Sequence, residues 1–302
     1  MIARPPWGGL SAETAGAPWL AVLGVPWDGG VGWRPGAAEA PRRLRQISHT
    51  SPAIAEDGFV VDPARFPLRD LGDLGPQVEE DVLHYFGRVE QAAREAMAAP
   101  GAPFLLSIGG DHSVLIPLFR AFAAAQAGTL GLVLLDAHPD LFDEYDGSRT
   151  SHACPIRRAL ESGRLAPEHL LILGTRSYNG VELDFMRANG VRFVPARELE
   201  RQGAAGAVAL ARERLSGCAS VYLTIDIDVA DPAFAPGTGA PVAGGLTSRQ
   251  LLDLVRGLVE ELPVRAADLV EVSPRLDPTD ATLFLALQVV FETIAALARK
   301  AR

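Results

Sequence analysis

Short apolar runs alternate with amphipathic stretches along almost the whole chain. Apolar runs at 20–25, 103–108, 130–136, 170–175, 191–194, 220–226 and 265–272 predict strands. An eighth strand is expected near 57–61 or 69–71. The runs GLVLLD and SVYLTID are apolar almost without interruption, the pattern of strands buried on both faces of a parallel sheet. Between the runs, 77–98, 113–125, 181–189, 204–215, 248–261 and 282–300 carry helical periodicity. The Arg-rich stretch 41–45 is too short for a nucleic-acid arm and reads as one face of a helix. The repeated βαβ pattern predicts an α/β fold, a three-layer sandwich with helices on both faces of the sheet.

Composition narrows the reading without changing it. With 302 residues, 48% of them hydrophobic and 22% charged, the chain has the balance of an ordinary globular protein. One domain, 1–302, is expected, because the Gly- and Pro-rich clusters at 26–41, 72–76 and 232–245 look like functional loops rather than linkers. A net charge of -9 argues against nucleic acid as a partner. Two cysteines, Cys154 and Cys218, suit a reducing compartment. The first ten residues show no basic start followed by an apolar core. Apolar runs such as that from Gly131 to Leu135 end well short of the ~20 residues of a membrane span. A cytoplasmic protein with no membrane partner is expected.

Ligands of open α/β sheets bind beyond the carboxyl ends of the strands, and three predicted strands end in chemistry. One runs into Gly109-Gly110-Asp111-His112-Ser113, one into Asp136-Ala137-His138-Pro139-Asp140, and one into Asp226-Ile227-Asp228. In an extended strand end, residues i and i+2 point the same way. That spacing would align Asp136 with His138, with Asp140 two further on, and Asp226 with Asp228. Four carboxylates packed together must take up protons or cations. Two divalent ions resolve the repulsion, and oxygen ligands with some imidazole and no thiolate favour Mn2+ over structural zinc.

These segments resemble the signature segments of the ureohydrolases, the family of arginase, agmatinase, guanidinobutyrase and proclavaminate amidinohydrolase. The resemblance rests on GGDHS at 109–113, DAHPD at 136–140 and TIDIDVADPAFAPGTGAPVAGGLTSR at 224–249, and extends to 24–45, 151–160 and 269–280. It implies an arginase-like α/β/α domain with an eight-stranded, mostly parallel sheet. It also implies two Mn2+ ions per subunit, one on His112, Asp136, Asp140 and Asp226 and the other on Asp136, His138, Asp226 and Asp228. Asp136 and Asp226 would bridge the ions, and Asp111 and Ser113 would sit close by without ligating. Where the family has Ser, this chain has Thr224.

By the same resemblance, a hydroxide generated at the metal pair attacks a guanidinium carbon and urea is released. His152 would carry the proton to the leaving amine, and Glu271 would grip the guanidinium through paired hydrogen bonds. Asp231 reads as a structural turn residue. The acidic segment 141–149 favours a substrate with a second positive charge, which makes agmatine, split into putrescine and urea, the leading expectation. Arg149 or Arg176 binding a substrate carboxylate would point instead to guanidinobutyrate or another guanidino acid; arginine is a further alternative, although 141–149 stands where arginases carry a distinct Asn- and Ser-containing loop. A formimino amidohydrolase and a catalytically silent homologue are the remaining alternatives, while the second DxD ligand and Glu271 speak against a one-zinc deacetylase. A homo-oligomer, trimeric or hexameric, is expected from the family alone.

Overall fold

The computed structural model describes residues 6–11 and 18–301. The reading of the first ten residues therefore falls partly outside the described residues. Sixteen regular elements alternate along the chain: β1 (Leu20–Val25), α1 (Ala40–Ile47), β2 (Leu68–Asp73), α2 (Val82–Ala98), β3 (Phe104–Gly109), α3 (Leu115–Ala125), β4 (Leu130–Leu135) and α4 (Pro155–Glu161). They continue with β5 (Leu170–Thr175), α5 (Gly180–Ala188), β6 (Arg192–Pro195), α6 (Ala196–Arg214), β7 (Ser220–Asp226), α7 (Ser248–Glu261), β8 (Val264–Val270) and α8 (Ala281–Lys300).

The strands form one sheet in the order β2-β1-β3-β8-β7-β4-β5-β6, and each neighbouring pair runs parallel. Helices α1, α6, α7 and α8 cover one face, and α2, α3, α4 and α5 cover the other. Every residue of β4 and β7 is buried, as continuous apolar runs require. The edge strand β2 alternates instead, with Arg69 exposed and Leu68 buried. It is the eighth strand, at the second of the two expected places. Residues 57–61 contribute only an isolated bridge between Ile54 and Val60. Helix α8 is long and apolar enough to cross a membrane, but most of it is buried against the rest of the fold.

Three helices differ from expectation. The helix expected at 77–98 begins at Val82, capped by Asp81. The helix expected at 204–215 begins at Ala196 and bends at Gly203, whose φ of 70° breaks the regular backbone. Helix α4 was not anticipated, being a short element that opens on Pro155, where the missing N–H costs nothing.

The carboxyl ends of β3, β8, β7 and β4 are consecutive in the sheet. The chain order of these strands therefore converts four distant sequence blocks into one edge. Gly110 sits where the blocks meet. Its N–H donates to the carbonyl of Val25, its own carbonyl accepts from Glu271, and Asp111 donates to the carbonyl of Trp27. A Cβ on Gly110 would lie 1.6 Å from that Trp27 oxygen. Gly110→Ala is thus expected to destabilise the fold by about 1–3 kcal/mol or more, because backbone must move. Gly87→Ala, inside α2 with nothing nearby, is expected to stabilise by roughly 0.5–1 kcal/mol. Thermal melting of the two variants checks the opposite signs.

Candidate metal centre

Each block turns as its strand ends. Asp111 caps a short 3-10 turn beginning at His112, accepting from the Ser113 N–H. Asp136 Oδ1 accepts from the His138 N–H at 2.6 Å, and Asp226 Oδ1 accepts from the Asp228 N–H at 2.8 Å. The DxH and DxD pairs are therefore brought together by Asx-type turns. The extended strand ends expected from the sequence are not what aligns them. The Ala137 N–H also donates to Asp228 at 3.0 Å, tying the β4 end to the β7 end.

The result is a cluster of six side chains, five of them buried and His138 partly exposed. His112 Nδ1 lies 3.1 Å from Asp136, 3.0 Å from Asp140 and 3.3 Å from Asp226. His138 Nδ1 lies 3.0 Å from Asp228 and 3.5 Å from Asp136. Two ligand groups result, His112 with Asp136 and Asp140, and Asp136 with His138 and Asp228. Asp136 belongs to both, while Asp226 approaches the His112 group. Although they lie so close, His112 Nδ1 and Asp136 Oδ2 make no hydrogen bond among the described residues. Buried polar atoms without partners are costly; here they converge on a space whose surroundings are acceptors. The donor set fits divalent ions of the Mn2+ type.

The electrostatics agree. Burial and the neighbouring Asp228 and Asp136 carboxylates push Asp226 well above the usual carboxylate range. Burial, then Asp136, lifts Asp140 to about 6. Burial opposes charge on His138, but Asp228 and Asp136 raise it to about 12. Asp136 goes the other way: burial works against its charge, yet His112 and His138 hold its carboxyl below the usual carboxylate range.

Beside it, Glu271 leaves β8 with a left-handed φ of 61°. Its Oε1 accepts from the His112 N–H at 3.0 Å and lies 3.1 Å from His152 Nδ1. The Gly30 carbonyl accepts from the His152 N–H, and the Gly32 N–H lies 3.2 Å from His152 Nε2. Burial works against the imidazolium, yet Glu271 raises His152 to about 9. Asp111 faces this side: its carboxylate accepts from the Gly30 N–H at 2.7 Å and from Ser113, so it fixes the loop that holds His152. Cys154 is buried, its thiol pushed up to about 11 by burial, and it packs rather than reacts.

A cavity of about 300 Å3 opens over the cluster, lined by His138, Asp140, His152 and Glu271 together with Phe142, Tyr145, Tyr178 and Glu182. Neither arginine considered from the sequence lines it. Arg149 pairs with Asp143 and Glu161. Arg176 is turned under the 228–245 loop and donates to the carbonyls of Gly174, Asp228, Val229, Ala230 and Val242. Asp231 closes the same loop by accepting from Ala233, Gly244 and Gly245. Trp33 is 75% exposed, stacked by Arg34, and lies outside the cavity lining.

The sequence model of the arginase family matches residues 19–296. The chain belongs to the arginase family. It is 39% identical to a guanidinopropionase of Pseudomonas aeruginosa over 93% of this chain and 87% of that protein. It is 35% identical to an agmatinase of Escherichia coli over 94% of this chain and 89% of that one. The solved structure of proclavaminate amidino hydrolase from Streptomyces clavuligerus aligns with a TM-score of 0.84 at 35% identity, covering 94% of this chain and 93% of its own. This arginase-family chain is accordingly a hydrolase of guanidino or amidino compounds, on the fold that its sequence pattern predicts.

Two features escaped the sequence reading, the Arg176 clamp and a row of buried polar groups behind His112. Arg176→Met would leave several loop carbonyls unsatisfied, at about 1–3 kcal/mol for each that water does not reach. A large drop in denaturant midpoint is expected. Unchanged stability with a raised KM for guanidino acids would instead return Arg176 to the substrate.

Proposed function

We propose that the protein is a dimanganese hydrolase that splits agmatine into putrescine and urea. One observation carries the choice of substrate: among the described residues no Lys or Arg lines the cavity, whereas three aromatic rings do; Glu182 also lines it, but its carboxylate already accepts from the Leu141 and Asn179 N–H groups. An ammonium tail suits aromatic faces, and a carboxylate tail finds no cationic side chain there among the described residues. The acidic rim contributes less than its composition implies, since Asp143 is neutralised by Arg158 and Arg149.

His112, Asp136, Asp140 and Asp226 would hold one ion, and Asp136, His138, Asp226 and Asp228 the other. When bound, such ions lower the pKa of water enough to supply a nucleophile at neutral pH. Glu271 receives the planar guanidinium through charge-assisted hydrogen bonds and orients its carbon toward the cluster. Doing so takes Glu271 away from His152, whose proton is then available to the departing nitrogen. The C–N bond to that nitrogen breaks, urea forms, and the amine leaves protonated.

Hydrolysis of a guanidino acid is the second reading, favoured by the 39% identity to guanidinopropionase. Urea release from agmatine, arginine, 3-guanidinopropionate and 4-guanidinobutyrate separates the two. Agmatine is expected to show the highest kcat/KM. Preference for 3-guanidinopropionate would overturn the substrate assignment alone, and no urea from any of them would overturn guanidino hydrolysis.

His152 is held protonated up to about pH 9, and a general acid acts in its protonated form. The kcat/KM profile is therefore expected to fall as pH rises above that value. His152→Asn is expected to lower turnover roughly 100-fold or more, to remove that alkaline limb, and to leave metal content unchanged. Loss of metal in this variant would make His152 a ligand instead.

A further inference from the structure

Strand β7 is buried along its whole length, yet Tyr222, Thr224 and Asp226 place polar groups at every second position, on one face. Opposite Thr224 in the register stands Asp268 of β8, itself fully buried. The Tyr222 hydroxyl donates to Asp268 Oδ2 at 2.7 Å, and the Thr224 hydroxyl donates to Asp268 Oδ1 at 2.6 Å. Thr224 Oγ1 also lies 2.9 Å from His112 Nε2. Leucine or valine would fill such positions without the cost of burying polar groups, so the row calls for a reason.

We propose that Asp268, Thr224 and Tyr222 are positioning residues that fix which nitrogen of His112 is offered to a metal ion. A threonine hydroxyl has one proton, and here it is committed to the Asp268 carboxylate. Its oxygen can therefore only accept from His112, so Nε2 carries the ring proton. In the neutral imidazole, Nδ1 is then the bare nitrogen, and Nδ1 is the atom that faces Asp136, Asp140 and Asp226 at 3.0–3.3 Å. Tyr222 occupies the second oxygen of Asp268, leaving both of its oxygens as acceptors in this chain of bonds. The relay thus turns a strand interior into an anchor for one ligand. His138 has no part in it. The inference rests on the dimetal reading of the cluster.

The test is Mn2+ binding by equilibrium dialysis of full-length protein stripped with chelator, on the parent, Thr224→Val, Thr224→Ser and Asp268→Leu, with circular dichroism as the folding control. Thr224→Val keeps the shape and removes the hydroxyl. It is expected to weaken one of the two ions about 10–100-fold, the range for losing a partner that orients a ligand, and to leave the other near parental affinity. Thr224→Ser, which restores the hydroxyl, is expected to restore binding. Asp268→Leu is expected to weaken the same ion; should it not fold, the valine and serine variants carry the test alone. Two parental ions unchanged in Thr224→Val, or a serine variant as weak as the valine one, would overturn the relay while leaving the dimetal reading intact. A parent protein that binds no Mn2+ would overturn both.

Discussion

Four aspartates, Asp136, Asp140, Asp226 and Asp228, are buried together around two imidazoles, and their negative charge must be neutralised where water cannot do it. Desolvated carboxylates side by side repel strongly and lose their hydration as well. The cluster's ionisation is displaced accordingly: burial, then Asp136, lifts Asp140 to about 6, and Asp228 and Asp136 raise His138 to about 12 against its burial. Such a cluster is tolerable inside a fold when cations supply the missing charge. The rest of the architecture serves to hold it in place.

That holding begins with topology. The four strands that end in functional residues are neighbours at the middle of the sheet, so each side chain is delivered by a rigid, doubly covered element. Local backbone strain is accepted at the same edge. Asp140 and Glu271 adopt left-handed φ values of 52° and 61°, which cost about 1–2 kcal/mol each outside glycine and persist where surrounding contacts fix them. Asp111 ties the Gly30 loop to the site, and Arg176 ties the 228–245 loop to the back of Asp228. Glu271 and His152 thus rest on the same frame as the buried cluster.

Much of this was legible in the sequence. Strands β1, β5 and β7 and helix α7 have their expected bounds, because continuous apolar runs and a Thr247 capping box mark them. The six cluster residues announce themselves as acid and imidazole at strand ends. Legibility failed where the signal depends on tertiary partners. β2 is an edge strand whose half-exposed pattern differs little from a loop. α4 is short and starts on a proline, and Gly203 splits α6. The spacing of DxH and DxD anticipated the right neighbours for the wrong reason, since side-chain turns align them. Arg176 carries no motif, and only the fold shows that five carbonyls surround it. The alternation of Tyr222, Thr224 and Asp226 was a readable signal that the apolar run concealed.

The chemistry proposed above depends on one cluster at the middle of the sheet holding two cations. A crystal of the protein equilibrated with Mn2+, with data collected at the manganese absorption edge, tests it most directly. Two anomalous peaks are predicted in the cluster, one beside His112 and Asp140 and the other beside His138 and Asp228, with Asp136 between them. A folded protein with no peak at these residues, or with a single one at saturating Mn2+, would contradict the account.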